Sequence, residues 1–224
     1  MIHTYNSVLQ SHFQKAKNPT NAVAMEKYMK NKFTFFGIKT PERKLIYKDF
    51  LLQMGYPKVE ELENIVLELW QQPEREYQYF AMELVEKFSK KPTENYILLL
   101  EKLIVQKSWW DTVDLLASHS VANYFRFYPQ TIPEITEKWI ESENIWLQRT
   151  CLLFQLFYRK QTNTILLLDY IRMLADSKEF FIQKAIGWAL RQYARTDANT
   201  VKQFVEKTPL KPLSRREALK HIGE

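Results

Sequence analysis

The sequence predicts an all-α protein, a HEAT-like helical-repeat solenoid of antiparallel helix pairs, and three observations predict it. Only 4 glycines occur in 224 residues while 14% are aromatic, so neither a Gly-rich phosphate loop nor a turn-rich β-sandwich is expected. Apolar residues recur at helical spacing between Pro and Asn punctuation. From Pro73 onward the chain repeats itself with a period near 35. A two-helix unit of that length stacks into a curved ribbon with one concave, here basic, face. One domain spanning residues 1–224 is expected.

A first helix runs from Tyr5 to Phe13 and stops at the cap-like pair Asn18-Pro19. A second passes through Met25, Tyr28 and Met29, with Lys27, Lys30 and Lys32 on other faces. Tyr28 with these lysines reads either as a stacking and phosphate-contacting element or as a solvated basic face around a core tyrosine. Gly37 breaks the pattern, and Thr40-Pro41 restarts it with Thr40 as N-cap and Pro41 as first helical residue. Gly55-Tyr-Pro57 ends that helix, and another carries Val59 to Trp70.

The repeats align Glu76-Tyr-Gln-Tyr-Phe80, Trp110-Asp-Thr-Val-Asp114, Trp146-Leu-Gln-Arg-Thr150 and Phe181-Ile-Gln-Lys-Ala185. Their third members, Gln78, Thr112, Gln148 and Gln183, are 34, 36 and 35 residues apart. Each block opens a helical stretch: Tyr77 to Phe88, Trp109 to His119, Trp146 to Tyr158 and Phe181 to Tyr193. A weaker fifth copy is Leu213-Ser-Arg-Arg-Glu217, where Ser214 and Glu217 have capping-box spacing.

The register shows which residues are out of place. At the fifth position Asp114 stands where the other three copies carry Phe80, Thr150 and Ala185. At the fourth, Arg149 and Lys184 follow Tyr79 and Val113, a row of cations about 10 Å apart that suits a phosphate backbone. Trp110 shares a helix face with Asp114, and Trp188 lies two turns beyond Phe181. Singly, the tryptophans read as core, Asp114 as a capping or ion-paired carboxylate, and Arg149, Lys184, Arg191 and Arg195 as a solvated face. Their coincidence at matched positions of neighbouring repeats is explained by one shared site, where an anion between indoles favours a cationic ligand or transition state.

Other chemistry is excluded more simply. The single cysteine, Cys151, lies in an apolar stretch and reads as an inert buried thiol of a reducing, cytoplasmic compartment. His3, His12, His119 and His221 are scattered without HExxH or a Cys/His cluster, so no metal or cofactor is expected. No GxSxG or Walker A motif occurs, and no signal or membrane-spanning segment is recognised. A net charge of +6 points to a polyanionic partner without distinguishing DNA from RNA or anionic lipid.

Nearly the whole chain resembles the AlkD-like DNA alkylation-repair glycosylases. The blocks that carry the resemblance include Lys27-Tyr-Met-Lys-Asn31, Thr40-Pro-Glu-Arg43, Pro73-Glu-Arg-Glu76 and Lys107-Ser-Trp-Trp-Asp-Thr-Val-Asp114. Asn144-Ile-Trp-Leu-Gln-Arg149, the stretch Ser177 to Trp188 and Pro212-Leu-Ser-Arg-Arg-Glu217 complete them. The resemblance implies a cofactor-free glycosylase of base excision repair that removes N3- and N7-alkylated purines from duplex DNA. It matches the catalytic carboxylate to Asp114, the two active-site tryptophans to Trp110 and Trp188, and the active-site arginine to Arg149. Tyr28, Lys30, Phe180, Phe181, Lys184 and Arg191 are the expected DNA contacts. A cationic base needs no general acid, so Asp114 is expected to stabilise an oxocarbenium sugar and orient water, with Arg149 on the adjacent phosphate. Work from the backbone side without a base-sized pocket, by a monomer in the cytoplasm or on the bacterial nucleoid, completes the expectation. The competing reading is a non-catalytic scaffold, for which Asp114 would be ion-paired and Trp110 buried.

Overall fold

The computed structural model describes residues 4–220, and among these it is all-α, a succession of helix pairs. His3, His221 and Gly223 lie outside the described residues. Backbone contacts divide the chain into two compact units, Met1–Phe88 and Ser89–Glu224.

The first unit holds α1 (Thr4–Lys15), α2 (Pro19–Tyr28), α3 (Thr40–Met54), α4 (Val59–Gln71) and α5 (Arg75–Phe88). Asn18 caps α2 by accepting from the Asn21 amide, as its position before Pro19 leads one to expect. Thr40 is not the cap of α3: the helix starts on it, Lys39 holds the cap position without a side-chain bond, and Pro41 supplies the first turn. The core is aromatic, with Phe13, Phe36, Tyr47, Phe50, Tyr77 and Phe80 packed edge-to-face or tilted. Within it the buried Glu76 carboxylate accepts from the amides of Phe36, Gly37 and Ile38, pinning the segment that leads into α3. Only glycine fits at position 37, where φ is 87° and a Cβ would come within 2.0 Å of the Asn18 carbonyl oxygen.

The second unit continues the pairs. α6 (Tyr96–Val105) precedes a composite helix made of α7 (Trp110–Leu115), one π-helical segment (Leu116–Val121) and α8 (Ala122–Phe127). Then come α9 (Ile132–Glu141) with α10 (Ile145–Leu153), α11 (Thr164–Leu174) with α12 (Phe180–Ala194), and α13 (Ala198–Lys207) with α14 (Pro212–Leu219). The expected helix from Trp146 to Tyr158 stops short at Leu153. Beyond it Gln155 bonds both the amide and the carbonyl of Asn163, and the Tyr158 hydroxyl reaches the Ala122 carbonyl, drawing the chain into turns.

The repeat register has a physical basis at its third position. The side-chain amides of Gln78, Gln148 and Gln183 each donate to the carbonyl six residues earlier, Gln72, Ser142 and Ser177. Gln78 and Gln148 also reach carbonyls in the last turn of the preceding helix, of Leu69 and Trp70 and of Ile140. These groups are the orphans at a helix C-terminus. Thr112 departs from the rule and bonds the Trp109 carbonyl instead.

Candidate active site

The site is built on α7, α10 and α12. The fifth repeat position is a core slot: Phe80, Thr150 and Ala185 are fully buried there, and Asp114 enters the same slot as a carboxylate. The Ser118 hydroxyl holds the Asp114 backbone carbonyl at 2.6 Å where the π-helical segment begins, so the helix widens immediately after the residue. An open cleft of about 390 Å³ lies over it, lined by Trp110, Asp114, Arg149, Phe180, Phe181, Lys184, Trp188 and Arg191. Eight of the ten expected site residues therefore meet in one place. Trp110 and Trp188 are half-buried, and Phe180 is 58% exposed at the edge. Phe181 is set by ring contacts with Trp109 and Trp146 at 4.9 and 5.0 Å.

Three charge assignments need correction. Arg149 does not reach outward to a phosphate: it is 4% exposed and forks onto Asp114, Nε to Oδ1 at 2.6 Å and Nη2 to Oδ2 at 2.8 Å. Its Nη1 donates to the Phe181 carbonyl. The fourth-position row of Arg149 and Lys184 is likewise not a row of outward cations, because Arg149 pairs with Asp114 and Lys184 with Glu217 at 3.1 Å, where Arg191 joins the same carboxylate at 2.7 Å. Third, Ser214 and Glu217 form no capping box. Lys211 occupies the cap position of α14, Ser214 is buried and donates to the Gln183 carbonyl, and Glu217 faces α12.

Asp114 is thus ion-paired, as the scaffold reading requires, but Trp110 is only half-buried, where that reading requires it buried. The Asp114 side chain keeps 15% of its surface exposed beside the cleft. Burial pushes its carboxyl above the ordinary aspartate value, and the bonds and charge of Arg149 pull it back without cancelling the rise. Arg149 therefore helps a desolvated carboxylate remain ionised and fixes its orientation. Glu217, with two cations beside it, is held below the ordinary glutamate range. It is the residue that sequence reasoning missed, although the fifth repeat copy already placed it in the slot of Asp114.

Tyr28 and Lys30 belong to the first unit, where Tyr28 ends α2 and is 72% exposed, so it is no core tyrosine. Lys30 and Asn31 follow in left-handed backbone, φ 56° and 53°, and turn the chain away from the helix. Cys151 is buried with its thiol pushed well up by desolvation, an inert group. Among the described residues no three His, Cys, Asp or Glu side chains cluster to hold a metal ion, and no helix is long and apolar enough to cross a membrane.

A family model described as DNA alkylation repair enzyme matches residues 9–222. A solved structure of a protein described as a predicted DNA alkylation repair enzyme, from Enterococcus faecalis, is 34% identical, with a TM-score of 0.86 over 93% of this chain and 97% of that one. Two structures from Streptococcus mutans share the fold at 17% identity. AlkD2 has a TM-score of 0.62 over 80% of this chain and 89% of its own. The protein smu.31 of strain UA159 has 0.60 over 81% and 96%. No curated protein matches the sequence.

Proposed function

The chain belongs to the DNA alkylation repair enzyme family, and from that premise we propose that it is a monofunctional DNA glycosylase releasing cationic N3- and N7-alkylated purines. Its substrates would be 3-methyladenine and 7-methylguanine in duplex DNA. The observation that carries the reading is Asp114, an anion in a core slot at the edge of an open cleft walled by Trp110 and Trp188. A solvated surface residue or an apolar core residue would serve a passive scaffold better.

The residues divide the work as follows. Alkylation at N3 or N7 leaves the base positively charged, so it departs with the glycosidic electron pair and needs no general acid. Positive charge then passes to the deoxyribose. Trp110 and Trp188 offer π-faces to that sugar and base, and Asp114 stabilises the cation and orients the water that attacks C1′. Arg149 acts as a positioning residue, holding both carboxylate oxygens and aiding ionisation in a site that favours the neutral acid. Lys184 and Arg191, tethered by Glu217 at the cleft edge, and the rings of Phe180 and Phe181 face the strand. In the first unit, taken by itself, Tyr28 and Lys30 are the DNA contacts of this reading. An open cleft favours attack on a lesion left in the helix over capture of a flipped base, and bulky adducts are then acceptable. One chain, without a cofactor, suffices as a single repeat domain.

The test is incubation of the protein with methylated duplex DNA and, separately, with duplex carrying a neutral lesion such as hypoxanthine. Release of 7-methylguanine and 3-methyladenine with the neutral base retained is expected. The Asp114–Arg149 pair favours one competitor, a scaffold that binds DNA without cutting it, and binding with no base released would establish that reading instead.

A further inference from the structure

A second cleft, of about 350 Å³, opens between the segment that follows α10 and the C-terminal half of α12. Leu152, Gln155 and Arg159 line one side, and Gln192, Tyr193 and Arg195 the other. Its walls are anchored. Gln155, 5% exposed, accepts from the Asn163 amide at 2.7 Å and donates to the Asn163 carbonyl. The Tyr193 hydroxyl lies 2.6 Å from that of Thr164. Arg159 and Arg195 are both exposed, and neither guanidinium bonds or ion-pairs with any described residue. Among the unit's other arginines Arg149, Arg172, Arg191 and Arg215 have acidic or carbonyl partners and Arg126 lies over the Tyr158 ring at 4.3 Å, while Arg216 is exposed but lines neither cleft. Arg159 also adopts left-handed backbone, φ 54°, which non-glycine residues seldom take.

Two guanidiniums lining one cleft without a counter-charge repel each other until an anion joins them, and their forked donors fit phosphate oxygens. The place is telling as well. Arg195 caps the C-terminus of α12 seven residues after Trp188, so a rise of about 10 Å along the helix axis separates the two, and α12 lines both clefts with different residues. We infer that Arg159 and Arg195 together clasp one phosphodiester of the DNA strand whose damaged nucleotide sits at Trp188. This rests on the proposed reading of the first cleft and gives it what the pairing of Arg149 removed, a free cationic hold on the backbone. The same chemistry would accept a free phosphate ion, and the rise of only about 10 Å from Trp188 to Arg195 favours the strand.

The test measures affinity for an undamaged duplex across a salt series, for the wild type, Arg195→Gln, the double variant Arg159→Gln/Arg195→Gln, and Arg195→Lys. The double variant is expected to bind tenfold or more weakly at low salt, with a log–log salt slope shallower by about 0.9, the signature of one lost phosphate contact. Arg195→Lys should retain the slope, which a merely structural role would not explain. An unchanged slope, with or without weaker binding, overturns the assignment. Titration of the wild type with inorganic phosphate alone supplies the other arm: tight saturable binding, joined to an unchanged DNA slope, assigns the cleft to a free anion and also overturns it. Because the duplex carries no lesion, failure here is distinct from failure to release an alkylated base, which would refute the catalytic reading and leave these slopes interpretable.

Discussion

Asp114 sits under two opposed influences, burial that favours its neutral form and Arg149 that favours its charge. Since the carboxylate must be ionised to stabilise a sugar cation, the rate should fall on acidification at a pH above the ordinary aspartate value. A pH profile of single-turnover release checks this. For stability the sign is reversed. A carboxyl raised on folding contributes most at low pH, below its unfolded value, and that contribution is lost as pH rises through the folded one. Arg149→Ala leaves a carboxylate of 15% side-chain exposure without its partner, so a loss of about 3–5 kcal/mol in urea unfolding is expected. The acid limb of the rate should also move to higher pH. If Arg149 contacted phosphate, the Arg149→Ala variant would instead show a flatter salt dependence and leave the limb in place. Asp114 was legible in the sequence because the repeats show what its slot normally holds. The aim of Arg149 was not, because a register puts a long side chain on a helix face and leaves its rotamers free to reach a neighbouring repeat.

At the scale of elements, the contact between α12 and α14 shapes one side of the cleft. A Cβ on Gly187 would lie 2.4 Å from the Glu217 Cβ and 3.1 Å from the Ser214 carbonyl oxygen, so the two helices touch there through glycine. Gly187→Ala should cost about 1–3 kcal/mol, read by thermal or urea unfolding. Glu217→Gln should weaken the tether on Lys184 and Arg191 and steepen the salt dependence of DNA binding, because two cations are released to phosphate. Glu217, its carboxyl held low by those cations, contributes stability above its unfolded value that is lost as pH falls through the folded one. Element starts were readable where a side chain caps them, as at Asn18. The π-helical segment was not, since Leu116 to Val121 contains no Gly or Pro and its marker is a serine bonded four residues back. Nor was the end of α10, which depends on bonds from Gln155 and Tyr158 to distant backbone.

Across the whole molecule, the period near 35 is legible because three of the copies place a glutamine that bonds the carbonyl six residues before it, in the connection to the preceding helix. Gln78 in the first unit performs that task as Gln148 and Gln183 do in the second. The second-unit copy that abandons it, at Thr112, is also the copy that carries Asp114. A chain of net charge +6 should bind duplex DNA with an affinity that falls as salt rises, so affinity and chemistry have to be separated. The decisive measurement is single-turnover release of 7-methylguanine from a defined duplex by the wild type and by Asp114→Asn, with duplex affinity measured alongside. A rate at least about 100-fold lower in the variant, at unchanged affinity, is expected of a carboxylate that stabilises the sugar cation. Equal rates from the two proteins would contradict it.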